Sequence, residues 1–475
     1  MGCGGNGSGE GSWALPQHDL AGTRAVDGSA IDAGNVDELR PRWRFRFTAR
    51  PSFAGRFAST PIVDGGTVYI EDLRSNVFAL DRATGAMRWS RLYRATNSGP
   101  NGIAFGSGRI FGATDSDAFA LDAATGKQLW RRHLTSRAEQ FLEVAPLVHA
   151  SSVYLSTVGF APFGRGAIYA LDAETGAVRW KFVTVKEPWR YPLEAGGGGL
   201  WSSPSLDEQG RLYGGNSNPA PWGGSRERPN GGFFPGSALY TDSLLVLGSA
   251  TGRLLWYDQV TPHDVRDHDF QATPILATEE IEGQKIDLAI GAGKAGRVIA
   301  WNRATRRRVW ETRVGLHLND SGPLPRRWVT VCPGLYGGVL TPMAHADHRV
   351  FVPVVDLCSP GNALDRIELD AVDVSKGKGR LVALDVADGR ILWQRRLPSP
   401  NFGCATVSND VVFTSTYDGT VYAFGVEDGE LLWRTRMRAG INACPSVAGD
   451  LLLVGAGATR RGSRTVPELV AFGLD

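Results

Sequence analysis

Residues 119–130 read Phe-Ala-Leu-Asp-Ala-Ala-Thr-Gly-Lys-Gln-Leu-Trp, and the pattern within them, Leu-Asp-x-x-Thr-Gly-x-x-x-Trp, recurs along the chain. Copies at 80–89 and 171–180 match it closely, and weaker copies follow in the second half. The seven copies end at these tryptophans: Trp89, Trp130, Trp180, Trp256, Trp310, Trp393 and Trp433. A pattern that recurs over nearly the whole chain indicates a repeat architecture rather than several unrelated domains.

Each copy predicts a turn between two strands. Asp and Thr bond to nearby backbone in a tight turn, and Gly adopts positive φ. Segments before the turns, such as 66–70 and 410–413, alternate apolar and polar residues in the manner of strands. We expect the Trp to begin the outer strand of each unit and to wedge between neighbouring units. Each unit is therefore predicted to be a four-stranded antiparallel sheet, or blade.

The two ends of the chain supply one more blade. Strands predicted at 451–454 and 469–472 lack a following Trp, whereas residues 42–47 read Arg-Trp-Arg-Phe-Arg-Phe. Pairing the N-terminal strand with the C-terminal ones closes the ring and removes two open sheet edges. The prediction is an all-β fold, a single eight-bladed β-propeller of four-stranded antiparallel blades over residues 13–475, preceded by a flexible tether at 1–12.

Composition excludes several classes of partner. The 475 residues carry a formal net charge of only +2, so no basic surface for nucleic acid is expected. One dense basic run, 306–308, lies in a predicted turn and is interpreted as a solvated turn. No stretch approaches the ~18–20 apolar residues that span a membrane.

The first residues, Met-Gly-Cys-Gly-Gly-Asn-Gly-Ser-Gly-Glu, resemble the trimmed end of a bacterial lipoprotein signal. A small residue precedes the cysteine that receives lipid, and a Gly/Ser tether follows it. This interpretation predicts lipidation at Cys3 and a membrane tether on an extracytoplasmic protein. The alternative is a disordered tail with an incidental cysteine.

The other four cysteines fall into two pairs. Cys332 and Cys358 lie 26 residues apart around a predicted hairpin, and Cys404 and Cys444 lie 40 apart, one repeat length. Two disulfides would fit an oxidising, extracytoplasmic compartment, and buried free thiols are the alternative. Two insertions, around 186–240 and 315–345, are rich in Gly and Pro, and long loops on a rigid scaffold are where sites are commonly built.

The repeat, together with Asn-Pro-Ala-Pro-Trp at 218–222 and Thr-Pro-His-Asp at 261–264, resembles the pyrroloquinoline-quinone (PQQ) dependent methanol and ethanol dehydrogenases. The resemblance runs from about Trp13 to the end, and the insertion motifs are more specific than the repeat. It implies a quinone over a tryptophan floor, chelating Ca²⁺ or a lanthanide, with an aspartate as general base.

The resemblance assigns roles to single positions. Trp201 matches the tryptophan floor, Lys294 a basic residue that contacts the quinone, and Asn218 a metal ligand. Asp267 matches the catalytic, metal-binding aspartate, and Asp269 the extra carboxylate of lanthanide-using members. Cys332 matches a disulfide position of the family, with Cys358 as its partner. Hard cations prefer oxygen ligands and act as Lewis acids, while a nearby carboxylate accepts the alcohol proton.

The chain also departs from the family. Residues that hold the metal or the quinone in the family are replaced at these positions: Ala58, Thr96, Asn97, Gly102, Ala161 and Phe402. The missing groups include a metal-binding Glu, an Arg and an adjacent Cys pair. Since PQQ carries three carboxylates, losing cationic partners is costly. Glu143, on a predicted inner strand, is a candidate replacement for the lost metal ligand.

Simpler interpretations remain for several motifs. Asp267 and Asp269 would also serve as loop caps, and Trp201 as ordinary core. The Gly-x-Gly-x-x-Gly at 291–296 precedes a predicted strand and not a helix, so a dinucleotide site is rejected. The following histidines lack zinc spacing and are expected to be solvated or hydrogen-bonded: His263, His268, His345 and His348.

Two functions follow from these features. The first is an extracytoplasmic PQQ-dependent dehydrogenase that oxidises an alcohol or sugar and passes electrons to an external acceptor such as a cytochrome. The sequence contains no Cys-x-x-Cys-His haem motif. The second is a non-catalytic, lipid-tethered scaffold or ligand-binding propeller with a decayed quinone site.

Overall fold

The computed structural model describes residues 11–47, 59–95, 97, 99–136, 140–160, 163–186, 195–232, 234, 236–365, 371–458 and 466–474. These residues form eight blade sheets that are antiparallel except for one short parallel pair, with two short 3-10 helices at Val36–Glu38 and Val374–Lys376. The predicted all-β, eight-bladed propeller is confirmed. No helix among the described residues is long and apolar enough to cross a membrane. The predicted tether at 1–12, including Cys3, lies almost entirely outside the described residues.

In most blades the strands run in sequence from the inner edge outward. Blades 3, 7 and 8 differ: the first two strands of blade 3 both pair with its third, an N-terminal strand adds to the inner edge of blade 7, and another forms the outer strand of blade 8. The strands of blades 1 to 4 are Ile62–Asp64, Thr67–Glu71, Val77–Asp81 and Met87–Arg91; Ala104–Gly106, Arg109–Ala113, Asp117–Asp122 and Gln128–His133; Gln140–Leu142, Leu147–His149, Ser152–Gly159, Ala167–Asp172 and Val178–Val183; and Ser205–Leu206, Arg211–Gly215, Ser243–Gly248 and Leu254–Gln259.

Blades 5 to 8 complete the ring. Their strands are Ile275–Ile281, Gln284–Ala292, Arg297–Asn302 and Arg308–Arg313; Ala344–Ala346, Arg349–Asp356, Lys378–Asp385 and Ile391–Leu397; Ala25–Val26, Ala405–Ser408, Val411–Ser415, Thr420–Gly425 and Leu431–Arg436; and Ser446–Ala448, Leu451–Ala456, Glu468–Gly473 and Arg40–Arg46. Two small sheets pair Gly196–Gly197 with Pro219–Ala220 and Val329–Val331 with Ser359–Gly361.

The ring closes as the sequence predicted. Arg40–Arg46 pairs antiparallel with Glu468–Gly473 and becomes the outer strand of blade 8. Within it Trp43 occupies the position that the repeat tryptophans hold elsewhere, and its indole N–H donates to the Arg82 carbonyl of blade 1 at 2.8 Å. Joining the chain ends in one sheet covers the edge of Glu468–Gly473, and Arg40–Arg46 forms the outer edge of the blade, as the fourth strand does in the other blades.

The repeated turn has the predicted hydrogen bonds. The Oδ1 of Asp122 accepts from the backbone N–H and the hydroxyl of Thr125, at 2.9 and 2.6 Å. Gly126 adopts φ +70. A bulge follows in the outer strand, which makes Trp130 its third residue and not its first as expected. The bulge turns the ring toward the neighbouring blade.

Six blade junctions share one docking contact. The indole N–H of each tryptophan donates to a backbone carbonyl in the next blade, over 2.7 to 3.1 Å. The ring lies against the turn glycine, where a Cβ would stand 2.5–2.6 Å from an indole carbon. The six glycines are Gly85, Gly126, Gly176, Gly252, Gly389 and Gly429. Glycine is required at these turns because both the positive φ and the close approach exclude a side chain.

The segment from 13 to 31 lies along the inner edges of the blades. Trp13 bridges to Val63 of blade 1, and backbone bonds farther along reach blades 2, 4, 5, 6, 7 and 8. Arg24 is fully buried within this path. One correction concerns blade 4, because its first two strands, Ser205–Leu206 and Arg211–Gly215, lie inside the predicted insertion at 186–240.

Candidate active site at the junction of blades 4 and 5

The candidate site is built from four connections at one end of blades 4 and 5. Trp201 precedes the inner strand of blade 4, and Asn218 follows that blade's second strand. Asp267 and Asp269 belong to the loop between the two blades, and Lys294 follows the second strand of blade 5. In an antiparallel meander, inner strands begin and second strands end at the same edge, so these positions meet.

The five residues form one hydrogen-bonded cluster. The ammonium of Lys294 lies 2.8 Å from the Oδ2 of Asp267 and 2.6 Å from the Oδ2 of Asp269. The side-chain amide of Asn218 donates to the Oδ1 of Asp267 at 2.8 Å, and its backbone N–H donates to the Oδ1 of Asp269 at 2.9 Å. The indole N–H of Trp201 lies 3.3 Å from the same Asp269 oxygen. All five residues singled out by resemblance are therefore brought together.

Asp264, and not Asp267 or Asp269, caps the inter-blade loop. Its Oδ1 accepts from the backbone N–H of Arg266 at 2.8 Å, and its Oδ2 from that of His268 at 2.7 Å. Asp267 lies between Arg266 and His268 in the sequence, and its φ of +64 is a left-handed conformation that non-glycine residues adopt at a cost in free energy. The Asp264 cap thus holds the Asp267 carboxylate in place.

The loop is anchored to the second insertion. The Arg266 guanidinium donates to the carbonyls of Asn319, Ser321 and Gly322, over 2.7 to 3.0 Å. The ring of His268 lies 3.1 Å from the Pro333 carbonyl, beside Cys332. Burial lowers the pKa of His268, which favours the neutral ring. Both insertions therefore meet at the site, as long loops on a rigid scaffold were expected to do.

Gly293 explains how Lys294 reaches the carboxylates. A Cβ at Gly293 would lie 2.1 Å from the Asp269 carbonyl oxygen, so only glycine permits this approach. The backbone N–H of Lys294 then donates to that carbonyl at 2.9 Å. The segment 291–296 continues from one strand toward the next, which agrees with rejecting the dinucleotide interpretation.

Two carboxylates face one ammonium here, which leaves one uncompensated charge. Burial raises the pKa of Asp267 to about 8, although Lys294 lowers it, and Asp269 adds to the rise. The same carboxylates raise the pKa of Lys294 despite its burial, so the ammonium stays charged. A carboxyl that exchanges its proton near neutral pH suits general-base work.

Asp242 is a buried acid that sequence reasoning missed. It adopts φ +52, and neither carboxyl oxygen has a hydrogen-bond partner within the described ranges. Burial raises its pKa well above the ordinary value, and the carboxylates of Asp264 and Asp269 raise it further. Its burial is a property of the folded chain, and no local pattern around 242 signals it.

The remaining predicted positions have varied outcomes. Both disulfides are present, Cys332–Cys358 and Cys404–Cys444. The histidines are hydrogen-bonded, for example His345 and His348 to Glu279.

Some of the positions that depart from the family lie among the described residues. Gly102, at φ +147, approaches Ala145 and Ser59, and Phe402 packs on Tyr417. Glu143 is buried, and its proposed metal contact stays a prediction. The departures at Ala58, Thr96 and Ala161 lie outside the described residues.

The donor chemistry fits a hard cation with a flat cofactor. The Oδ1 of Asp267 accepts from the side-chain amide of Asn218, and the Oδ1 of Asp269 accepts from the Asn218 backbone N–H. The two carboxylates and the side-chain carbonyl of Asn218 are oxygen ligands of the kind that Ca²⁺ or a lanthanide prefers. These are two carboxylates, and no group of three or more His, Cys, Asp or Glu side chains suited to a metal occurs across the described ranges. Trp201 is partly exposed, with Phe160 packed edge-on against it at 5.3 Å, so its ring is not sealed in the core.

The family model described as "glucose/ethanol/alcohol dehydrogenase, beta-propeller domain" of the PQQ type matches residues 13–109 and 147–314. These ranges cover more than half of the chain and contain all five clustered residues. The chain belongs to this PQQ family. A second family model, "outer membrane protein assembly factor BamB", matches residues 367–464 of this PQQ propeller.

Two curated relatives are similar to this chain. Quinohemoprotein alcohol dehydrogenase of Comamonas testosteroni is 28% identical over 318 residues, which cover 60% of this chain and 44% of the relative. Quinohemoprotein alcohol dehydrogenase ADH IIB of Pseudomonas putida is 28% identical over 320 residues, covering 60% and 45% respectively. The chain therefore spans less than half the length of the curated relatives it matches.

The structural comparison extends over the whole propeller. The crystal structure of the Comamonas testosteroni enzyme superposes with a TM-score of 0.85 at 25% identity, covering 98% of this chain and 80% of that one. A europium-containing methanol dehydrogenase superposes equally well at 0.85 but is 21% identical, and it supports the fold alone.

Proposed function

We propose that this protein is a quinoprotein oxidoreductase that oxidises an alcohol or a sugar, with PQQ held beside Ca²⁺ or a lanthanide. The observation that carries the proposal is the convergence of Asp267, Asp269, Lys294, Asn218 and Trp201 in one cluster. Blade geometry does not require these polar side chains, because they come from loops outside the repeat. Buried charge that packing does not require is characteristic of functional sites.

Asp267 is the proposed general base. Its pKa of about 8 makes Asp267 a stronger base than an ordinary carboxylate once it is ionised, a state that a bound cation would favour, and Asn218 and Lys294 fix the orientation of its carboxylate. Lys294 offsets the negative charge that remains when Asp267 is ionised. When bound, the metal-chelated quinone supplies the acceptor for the substrate's hydride.

Each remaining residue has a proposed binding role. Trp201 forms a flat surface for the quinone ring, and Asp269 and Asn218 join Asp267 around the metal. Lys294 is the cation nearest to these ligands and suits contact with a quinone oxygen. An external acceptor such as a cytochrome would take the electrons.

An extracytoplasmic, lipid-anchored location is part of the proposal. Two disulfides support the compartment, since thiols in the cytosol are normally kept reduced. The anchor rests on Cys3 in the sequence. Expression of the protein behind a bacterial lipoprotein signal, with labelled palmitate present, tests it, and we expect the label to be lost in Cys3→Ser. Label that persists in this variant overturns the anchor at Cys3.

Titration of the purified protein with PQQ tests the function directly. Absorbance and calorimetry are followed with Ca²⁺ or La³⁺ present, and dye-linked oxidation of an alcohol and sugar panel follows. We expect saturable, metal-dependent binding, with turnover lost in Asp267→Asn and kept in the matched surface variant Asp388→Asn. Full turnover in Asp267→Asn removes the general-base role.

The second candidate is a non-catalytic scaffold or ligand-binding propeller. Similarity to the BamB family model at 367–464 supports it, as does glycine at position 102 where the family has an arginine. Absence of binding at micromolar PQQ with either metal favours this candidate and excludes the dehydrogenase.

A further inference from the structure

The junction between blades 4 and 5 breaks the docking pattern of the repeat. In the turn of blade 5, Arg306 stands where the six docking turns have glycine, and it adopts φ +61. The turn itself is intact, because the Arg306 backbone N–H donates to the Asn302 carbonyl at 2.8 Å as the glycines do. Only the side chain differs, and a Cβ at this position in the other turns would strike the docked indole.

Trp256 of blade 4 is the ring that this turn would receive. At six junctions the tryptophan N–H donates to a carbonyl of the next blade, but within the described ranges the Trp256 indole N–H makes no hydrogen bond. An indole N–H usually finds a partner when it is buried. At Trp256 this donor remains available to a ligand.

A cavity of about 410 Å³ opens at this junction. Trp256 and Leu255 form part of its wall, together with four arginines, Arg211, Arg253, Arg303 and Arg306. This volume lies within the range of small-molecule sites, roughly 300–1,000 Å³. The wall combines an aromatic ring with guanidinium groups, so it offers both an apolar surface and cationic donors.

The arginines are only partly neutralised. Arg303 is 5% exposed and lies 3.4–3.7 Å from the carboxylates of Asp207, Glu208 and Asp287, yet its buried Nε has no hydrogen-bond partner among the described residues. Arg211 is paired with Asp207 at 2.6 Å.

The other two arginines carry the free charge. In the described part of the chain, the side chains of Arg253 and Arg306 have neither an ion pair nor a hydrogen bond. The cavity therefore holds unpaired positive charge and unused donors.

This cavity is separate from the candidate active site. It lies at the start of the outer strand Leu254–Gln259, whereas the loop with Asp267 follows the end of that strand. Six residues of strand, about 20 Å at ~3.3 Å per residue, place the two on opposite ends of blade 4. A ligand in the cavity therefore leaves the Asp267 cluster free.

We propose that this cavity binds a small oxyanion that carries a flat apolar group, either a phosphate ester or an aromatic carboxylate. Guanidinium groups match the geometry of both oxyanions and bind them through paired hydrogen bonds. The flat group packs against Trp256 and Leu255, and the free indole N–H donates to an oxygen of the ligand. Arg306 thus converts a blade junction into a binding site.

Calorimetry with three probes tests the site: phenyl phosphate, benzene-1,3,5-tricarboxylate and inorganic phosphate. We expect an aromatic probe to bind with a Kd below about 1 mM and at least tenfold more tightly than inorganic phosphate. The probe that binds more tightly shows whether the ligand is a phosphate ester or an aromatic carboxylate. If neither aromatic probe binds, the proposal is overturned. If the aromatic probes bind no more tightly than inorganic phosphate, the site does not recognise a flat apolar group, and that part of the proposal is wrong.

Variant Arg306→Gly restores the repeat and is expected to fold, because glycine occupies this position in six other turns. It should bind the aromatic probes at least tenfold more weakly and melt at a higher temperature, since the positive φ is relieved and Trp256 docks. Arg307→Ala, which removes the same charge one residue away, is the matched control and should bind like the native protein. Equal binding by Arg306→Gly and the native protein overturns the assignment to this cavity.

Discussion

The ammonium of Lys294 lies 2.8 Å from the Oδ2 of Asp267, and both side chains are buried at the junction of blades 4 and 5. Lys294 also contacts Asp269, so one cation balances two carboxylates. The arrangement keeps one buried negative charge uncompensated whenever both acids are ionised. It explains why a cluster so well hydrogen-bonded still favours a protonated Asp267.

The first prediction concerns stability and pH in the cofactor-free protein. The folded-state pKa of Asp267, about 8, lies above its unfolded value of ~3.9. The stabilising effect of its proton is therefore complete below pH ~4 and is lost as pH rises through about 8. Urea unfolding at pH 5 and pH 9 should show a loss of stability in the native protein that is smaller in Asp267→Asn.

Asp388→Asn is the control for this measurement, because it removes an exposed turn carboxylate and should follow the native pH dependence. An Asp267→Asn protein with the same loss between pH 5 and pH 9 would show that Asp267 is ionised throughout this range.

A second prediction removes the cation of the cluster. Lys294→Met leaves two buried carboxylates without their partner and should cost about 3–5 kcal/mol in the free energy of unfolding. Adding Asp269→Asn to this variant should recover much of the loss, since one charge is removed. Urea unfolding of the native, single and double variants forms a double-mutant cycle. Additive losses would contradict the shared role of Lys294.

The same variant tests the affinity of the cluster for cations. With Lys294 gone, La³⁺ can approach both carboxylates, so it should raise the melting temperature of Lys294→Met more than that of the native protein. Asp388→Asn again supplies a surface-charge control. No added stabilisation by La³⁺ in Lys294→Met would argue against Asp267 and Asp269 as metal ligands.

A third prediction addresses the docking of the blades. Gly126→Ala places a Cβ 2.5 Å from a carbon of the Trp89 ring at φ +70, whereas Gly65→Ala meets nothing within 4 Å at φ +52. Left-handed backbone costs either variant about 1–2 kcal/mol. Gly126→Ala must also displace the indole and should lose at least twice as much stability in urea. Equal losses would show that the ring contact contributes nothing.

Much of the fold was predictable because local chemistry repeats. Asp122, Thr125 and Gly126 define a turn within nine residues of Trp130, and the ring closure followed from a spare Trp43. The path of residues 13–31 was not predictable, since it depends on the inner edges of distant blades. Blade 4 was obscured because its inner strand, Ser205–Leu206, has only two residues.

The site was predictable from family motifs and not from the alternation of apolar and polar residues. Resemblance placed Trp201, Asn218, Asp267 and Lys294, which the fold then brings together. Capping by Asp267 and Asp269 was the alternative to their site role, and the loop cap lies at Asp264 because capping depends on which carboxylate turns toward the backbone. Asp242 could not be singled out from the sequence, because only the folded chain shows that its carboxyl is fully buried.

The fourth prediction concerns Arg24, which fixes the N-terminal segment to the inner edges of the blades. Its guanidinium donates to the carbonyls of Pro16, Ala405 and Pro445 and to the side chains of Gln17 and Thr406, over 2.6 to 3.2 Å. It also lies 5.3 Å from the centre of the Trp13 ring. Three of these five bonds, to Ala405, Thr406 and Pro445, connect the start of the chain to blades 7 and 8.

Arg24→Met preserves the apolar stem but removes the guanidinium donor of all five bonds, and the Pro445 carbonyl also accepts from the hydroxyl of Thr406. Each unmet buried group costs about 1–3 kcal/mol, so we expect a loss of at least 3 kcal/mol in the free energy of unfolding. Hydrogen exchange should quicken first in residues 13–31 and in the inner strand Ala405–Ser408. The exposed Arg40→Met serves as the control and should change neither. If exchange quickens uniformly over all blades, the segment does not stabilise the inner edges locally but only through the whole fold.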